Sequence, residues 1–221
     1  MKKTKLLTTL GAVALIGAIG IGSTFAYLTA ETTAVTNTFT VGNVNFDKNL
    51  NGGLSESAVE RGKSGLYEDA DKEGVWGVKT NNYTKLTAGE VVYKDPTAHM
   101  AADSEDAYLF MRVYNTEATK TVNGVAVKYF DDIDIDTTKW EEVGRADNYI
   151  DYVYKEAAVA SKHYTLFEHV TMGNIDEDDV TKDDAGNVTG TAIPQIIIKA
   201  CAVQRRGLTQ GEAYAQAKFA D

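Results

Sequence analysis

The hydrophobic and polar positions of this chain fall into two regimes. From Leu6 to Ala30 (LLTTLGAVALIGAIGIGSTFAYLTA) there is no charged residue, and at ~20 residues the apolar stretch is long enough to span a bilayer. Beyond it, short runs rich in Val, Thr, Tyr and Ile alternate with polar breaks roughly every ten to fifteen positions, the rhythm of an antiparallel β protein. The expected strands are Thr38–Phe46, Val75–Lys79, Glu90–Lys94, Ala107–Asn115, Val122–Phe130, Tyr149–Glu156, Tyr164–Met172 and Ile193–Gln204. In the first of these, the alternation of Phe39 and Val41 resumes out of phase with Val44 and Phe46, a shift that a bulge at Gly42 would absorb.

Two runs are apolar on both faces. In Ala107–Asn115, Tyr108, Phe110, Arg112 and Tyr114 share one face while Leu109, Met111 and Val113 share the other, which is the pattern of a central strand. Ile193–Gln204 behaves likewise, with Pro194 tolerated at its start because it need not donate to a ladder there. Its Cys201 reads as a small buried side chain. The stretches Asp47–Gly74, Asp95–Asp106 and Asn174–Gly190 read as polar loops, with short helical turns such as Ser55–Arg61, and Ala-rich Gln210–Phe219 as a terminal helix. The expected fold is all-β: a two-sheet antiparallel jelly-roll-like sandwich with long loops and short peripheral helices.

Charge narrows the function. The 221 residues hold 22 Lys+Arg against 32 Asp+Glu, and three of the cations are Lys2, Lys3 and Lys5. Without residues 1–26 there are 19 cations against the same 32 anions, a charge of −13. Nucleic-acid binding needs a basic face and is excluded as an expectation. One cysteine in the chain allows no intramolecular disulfide and no thiolate cluster for zinc or iron–sulfur.

The basic-then-apolar order at the N-terminus is that of a secretory signal, and Gly20, Gly22 and Ser23 lead to Thr24-Phe25-Ala26, which sets small residues for cleavage between Ala26 and Tyr27. An uncleaved anchor is the alternative. The resulting plan is a signal peptide at 1–26, an N-terminal arm at 27–38 and a β-sandwich domain at 39–221.

Four patches, in order, resemble one family. The junction GSTFAYLTAETTAVTNTFTVGNVNF is followed by LTAGEVVYKDPTAHMAADSEDAYLFMRV, with its Lys94-Asp95-Pro96 turn, then by WEEVGRADNYIDYVYKEA with YTLFEHVTM, and last by IIIKACAVQRRGLTQGEAYAQA. Together they are similar to the TasA/camelysin family, exported proteins cut by the dedicated signal peptidase SipW, several of which build biofilm fibres. Ala30 stands where relatives often carry an acidic residue, and Asp47–Gly74 has no counterpart in them. The resemblance implies a secreted subunit of extracellular matrix fibres at the surface of a Gram-positive-type bacterium. Its implied partners are further copies of itself, a SipW-type peptidase and an accessory anchoring or nucleating protein, with no cofactor.

Residues Tyr27 to Asn37 (YLTAETTAVTN) are Thr-rich and Pro-free, with strand propensity but no adjacent partner in sequence. Freed by cleavage, such an arm can add to an open sheet edge, its Tyr27, Leu28, Ala30 and Val35 side chains acting as plugs. A disordered leader, or pairing within its own subunit, is the alternative. Two other functions stay open at this stage: a camelysin-like cell-surface metalloprotease and a monomeric surface adhesin or binding module.

Catalytic and metal signals are sparse. The histidines are His99, His163 and His169, and there is no HExxH. Glu168 and His169 are neighbours that a strand would send to opposite faces, and His163 lies ~20 Å from His169 along an extended chain. Asp47, Asn49 and Asn51, with Gly52 at the sixth position, match the first half of a calcium loop, but Ala58 stands at the twelfth, leaving Glu56 or Glu60 to approach; an Asn/Gly-rich turn is the preferred reading. Asp132, Asp134 and Asp136, and the Asp176–Asp179 run, read as solvated acidic faces. Trp76 and Trp140 read as core in preference to a carbohydrate groove. No Gly-rich phosphate loop or GxSxG elbow is present.

Overall fold

The computed structural model describes residues 43–69, 75–185 and 188–219, together with the backbone of 29–31; of residue 188 likewise only the backbone is described. The architecture is mostly β. One five-stranded sheet has the order β1-β17-β7-β12-β11, built from β1 (Thr29–Glu31), β7 (Ala107–Tyr114), β11 (Trp140–Ala146), β12 (Tyr149–Tyr154) and β17 (Ile197–Gln204). A second has the order β10-β14-β5-β4-β3, from β3 (Val59–Arg61), β4 (Tyr67–Asp69), β5 (Val91–Tyr93), β10 (Phe130–Ile135) and β14 (Phe167–Met172). A three-stranded sheet, β13-β6-β2, joins β13 (His163–Thr165), β6 (Thr97–His99) and β2 (Leu54–Ser55). Two hairpins, β8 (Thr119–Val122) with β9 (Val125–Lys128) and β15 (Val180–Lys182) with β16 (Val188–Thr191), complete the strands among the described residues. Among the described residues no helix is long and apolar enough to cross a membrane.

The two-sided apolar pattern of the central strands decides how the layers stack. Leu109, Met111 and Val113 of β7, with Ala200 and Ala202 of β17, enter one core shared with Phe130, Phe167, Val170, Met172 and Val92 of the second sheet. The alternate residues Phe110, Val153, Cys201 and Val203 form a second core under α1 (Gln210–Gln216). The first sheet is therefore covered on both faces. Cys201 is fully buried and in no disulfide, as its place in an apolar run implies. The helix starts at Thr209, whose hydroxyl accepts from the Glu212 N–H while the Glu212 carboxylate accepts from the Thr209 N–H, a reciprocal cap written as T-x-x-E.

Charge pins this helix to the sheet. Asp151 of β12 is wholly buried and takes both Arg112 bonds, at 2.7 and 2.8 Å, from directly opposite on β7, plus the Tyr214 hydroxyl at 2.6 Å from α1. The guanidinium lies 3.7 Å from the Tyr149 ring centroid and 4.3 Å from that of Phe219. Burial and the Asp151 bond push the Tyr214 hydroxyl up to about 12, so it donates throughout the physiological range.

Several expectations need correction. Ser55–Arg61 is not a helical turn: Ser55 ends β2 and Val59–Arg61 is β3. The supposed loops are partly sheet, since 47–74 contains β2, β3 and β4, 95–106 contains β6, and 174–190 contains a 3-10 turn at Glu177–Asp179 and the β15–β16 hairpin. The Val122–Phe130 strand is broken by Asn123 and Gly124, both at positive φ, which turn β8 into β9. Val75–Lys79 contributes one isolated bridge, Val78 to Glu56, and Phe46 another, to Met100. The bulge expected at Gly42 lies outside the described residues.

Candidate functional site

Two features stand out: the outer edge of the first sheet and a histidine pair, one ring buried and one exposed, against Ser55 and Trp76. At the edge, β1 pairs antiparallel with β17 through Thr29 to Val203, Ala30 to Ala202 and Glu31 to Cys201. Ala30 thus lies in a strand at the sheet border, and the arm's pairing is within its own molecule. Tyr27, Leu28 and Val35, and the cleavage site at Ala26, lie outside the described residues. Among the described residues, β1 meets Cys201, Ala202 and Val203 of β17, whereas β7 meets all eight β17 residues on the inner side.

The other borders are protected differently. β11 carries Glu141, Glu142 and Arg145 and a register shift between Glu142 and Gly144. β10 carries exposed Asp131, Asp132 and Asp134 and two register shifts. β3 has three residues, of which Glu60 and Arg61 are exposed. Charges, bulges and brevity are the usual guards of a sheet edge. The β17 border carries none of these over Cys201, Ala202 and Val203; the arm covers it instead.

Strand pairing brings two of the histidines together. His99 on β6 and His163 on β13 are register partners, and their Nδ1 atoms are 2.9 Å apart. Their separation of 64 residues hid this; only strand pairing discloses it. The Nε2 of His99 is 2.8 Å from the Ser55 hydroxyl, which donates to the Trp76 carbonyl at 3.1 Å. The Trp76 ring lies against both imidazoles, with centroids at 5.0 and 4.6 Å. Burial, then the neighbouring His163, drives His99 down to about 4, against a smaller upward pull from Asp47. His99 is fully buried; His163 is exposed and lowered less far, chiefly by partial burial.

This layer continues as buried polar pairs. Asp95 accepts from the Ser57 N–H and hydroxyl at 2.7 and 2.6 Å. Lys94 pairs with Glu56, which also accepts from Asn81 at 3.1 Å. These bonds tie the 54–81 segment to the Lys94-Asp95-Pro96 turn and leave Glu56 unable to complete a calcium loop. Asp47 accepts from the Asn49 N–H at 2.9 Å and Asn51 has φ of 52°, the geometry of an Asn/Gly turn. Among the described residues no three His, Cys, Asp or Glu side chains are grouped to hold a metal ion.

The remaining candidates separate. His169 on β14 lies 5.6 Å from the Tyr93 ring and 3.9 Å from an Asp134 oxygen, away from the histidine pair. Glu168 is exposed on the opposite face. Asp132 and Asp134 are solvated, while Asp136 accepts from Thr138 and pairs with Lys139, which lowers it to about 2. Asp176 and Asp179 both bind Lys120, at 2.9 and 2.6 Å, so that end of the acidic run is an ion-paired cap and not only a solvated loop. Trp140 is buried and donates to the Thr165 carbonyl, whereas Trp76 is half-buried on the histidines. A scan against family models, a search of curated proteins and a search of solved structures each found no match.

Proposed function

We propose that the chain is an exported structural subunit of extracellular matrix fibres, its two five-stranded layers forming a jelly-roll-type sandwich that polymerises head to tail through the N-terminal arm. The observation that carries this reading is the β1–β17 pairing: the arm segment occupies the border of the sheet that lacks the charges and bulges guarding the others. The partners lie at opposite ends of the sequence, so the same antiparallel register can form between two molecules as well as within one. An exchange of this kind is head to tail and does not close on itself, so it propagates.

An arm of ~10 residues laid along a neighbour supplies roughly that many backbone bonds, each worth about 1 kcal/mol net. Burial of Leu28 and Val35 would add roughly 3–6 kcal/mol before ordering costs. Removal of residues 1–26 by a SipW-type peptidase acts as the switch, because an arm tethered to a membrane cannot lie along a neighbour. An enzymatic reading has less support: Ser55 is 2% exposed and its hydroxyl proton is committed to the Trp76 carbonyl.

Deleting Tyr27–Asn37 from chain that begins at Tyr27 is expected to abolish filaments in negative-stain electron microscopy while the far-UV circular dichroism stays β-rich. Filaments of unchanged length and abundance from the shortened chain would refute the arm mechanism.

A further inference from the structure

The bonds around His99 fix where its protons can sit. The Trp76 carbonyl can only accept, so the Ser55 hydroxyl spends its single proton there. Ser55 Oγ must then accept from His99 Nε2–H. A neutral His99 with its proton on Nε2 has a bare Nδ1, which accepts from His163 Nδ1–H. The chain runs in one direction, from His163 to His99 to Ser55 to the Trp76 carbonyl.

Proton uptake by this pair has two unequal steps. The first proton goes to the remaining ring nitrogen, His163 Nε2, on the exposed member, and leaves every bond intact. The second has one place to go, His99 Nδ1, which already faces a His163 N–H across 2.9 Å. Two donors cannot bond at that distance, and two imidazolium rings with centroids 5.0 Å apart repel, the His99 ring being shut off from water. The charges facing the pair do not cancel this: the Asp47 carboxylate favours protonation of both rings, and Lys162 opposes it at His163.

We propose that His99 and His163 form a proton-counting latch that holds Trp76 against the β13-β6-β2 sheet when the pair carries at most one added proton and releases it when the second arrives. Trp76 is the part that moves because its ring rests on both imidazoles and its carbonyl ends the bond chain. Val78, two residues on, holds to Glu56 by N–H to carbonyl bonds of 2.8 and 3.1 Å, so release frees the strip from β2 at one end first. The low protonation range of buried His99 places the release in acid, below the range in which exposed histidines titrate. The device is independent of the fibre reading and senses acidification around the protein.

The test is fluorine NMR of the full chain labelled with 5-fluorotryptophan, titrated from pH 7.5 to 3.5, with Trp76→Phe assigning the two resonances. The expected result is movement of at least half of the Trp76 signal to a solvent-exposed position by about pH 4, with the Trp140 resonance and the far-UV spectrum unchanged. In His163→Gln the amide can donate to a bare His99 Nδ1 or, turned over, accept from a protonated one, so the local step is expected to vanish. Joint movement of Trp76 and Trp140 in one global transition, no Trp76 movement, or an unchanged local step in His163→Gln would each overturn the latch.

Discussion

Asp151→Ala is expected to lower stability by about 3–5 kcal/mol, read as a fall in the urea midpoint with the slope of the transition unchanged. The carboxylate is fully buried and carries three bonds from two elements, two from Arg112 and one from Tyr214. Removing it leaves a guanidinium between aromatic rings with no counter-charge and with Lys199 as its register partner on the other side. It also takes away the Tyr214 anchor of the terminal helix. Asp151→Asn keeps the volume and one acceptor and should fall between wild type and the Ala variant. A loss below about 1 kcal/mol, the usual worth of an exposed pair, would show that the site is open to water and the helix loosely held.

Trp140→Ala should cost a similar amount, about 3–5 kcal/mol, for a different reason. The indole is 1% exposed, packs edge-on against Tyr154 at 5.3 Å, and donates to the Thr165 carbonyl at 2.8 Å. It therefore joins the edge of the five-stranded sheet to β13 of the small sheet. The substitution creates a cavity and also strips a carbonyl of its donor. Trp140→Phe retains most of the ring volume and should cost roughly half as much or less. Equal losses for the two variants in thermal unfolding would assign the whole effect to the hydrogen bond, against the packing described.

The fold was most legible where hydrophobic pattern alone determines structure. The two-faced run Ala107–Asn115 became β7 with Leu109, Met111 and Val113 on one side and Phe110 on the other, as alternation requires. Ile193–Gln204 shortened to β17 but kept its buried Cys201. What failed was short and polar. Leu54–Ser55 and Thr97–His99 are strands of two and three residues whose place depends on partners far away in sequence, which local propensity does not encode. Ser55, Glu56, Ser57, Asp95 and His99 look like loop residues and are buried, because Ser55 pairs with His99, Ser57 with Asp95, and Glu56 with Lys94 and Asn81.

The same limit governs the sites. Asn123-Gly124 is a readable hairpin turn that the apolar continuity of Val122–Phe130 masks. The His99–His163 contact had no readable signal, since six residues separate His163 from His169 in sequence whereas its true neighbour is 64 away. The arm is the intermediate case: its strand propensity is visible in Thr29–Glu31, but its attachment to β17 required the sheet order.

The fibre account stands on the claim that the β1–β17 register forms between molecules, and the register itself supplies the measurement. In a Cys201→Ala background, the facing substitutions Ala30→Cys and Ala202→Cys can be oxidised in assembled material and the products separated under non-reducing, denaturing conditions. The account predicts a ladder of covalent multimers that collapses to monomer on reduction. Filaments that yield only internally bridged monomer would contradict it.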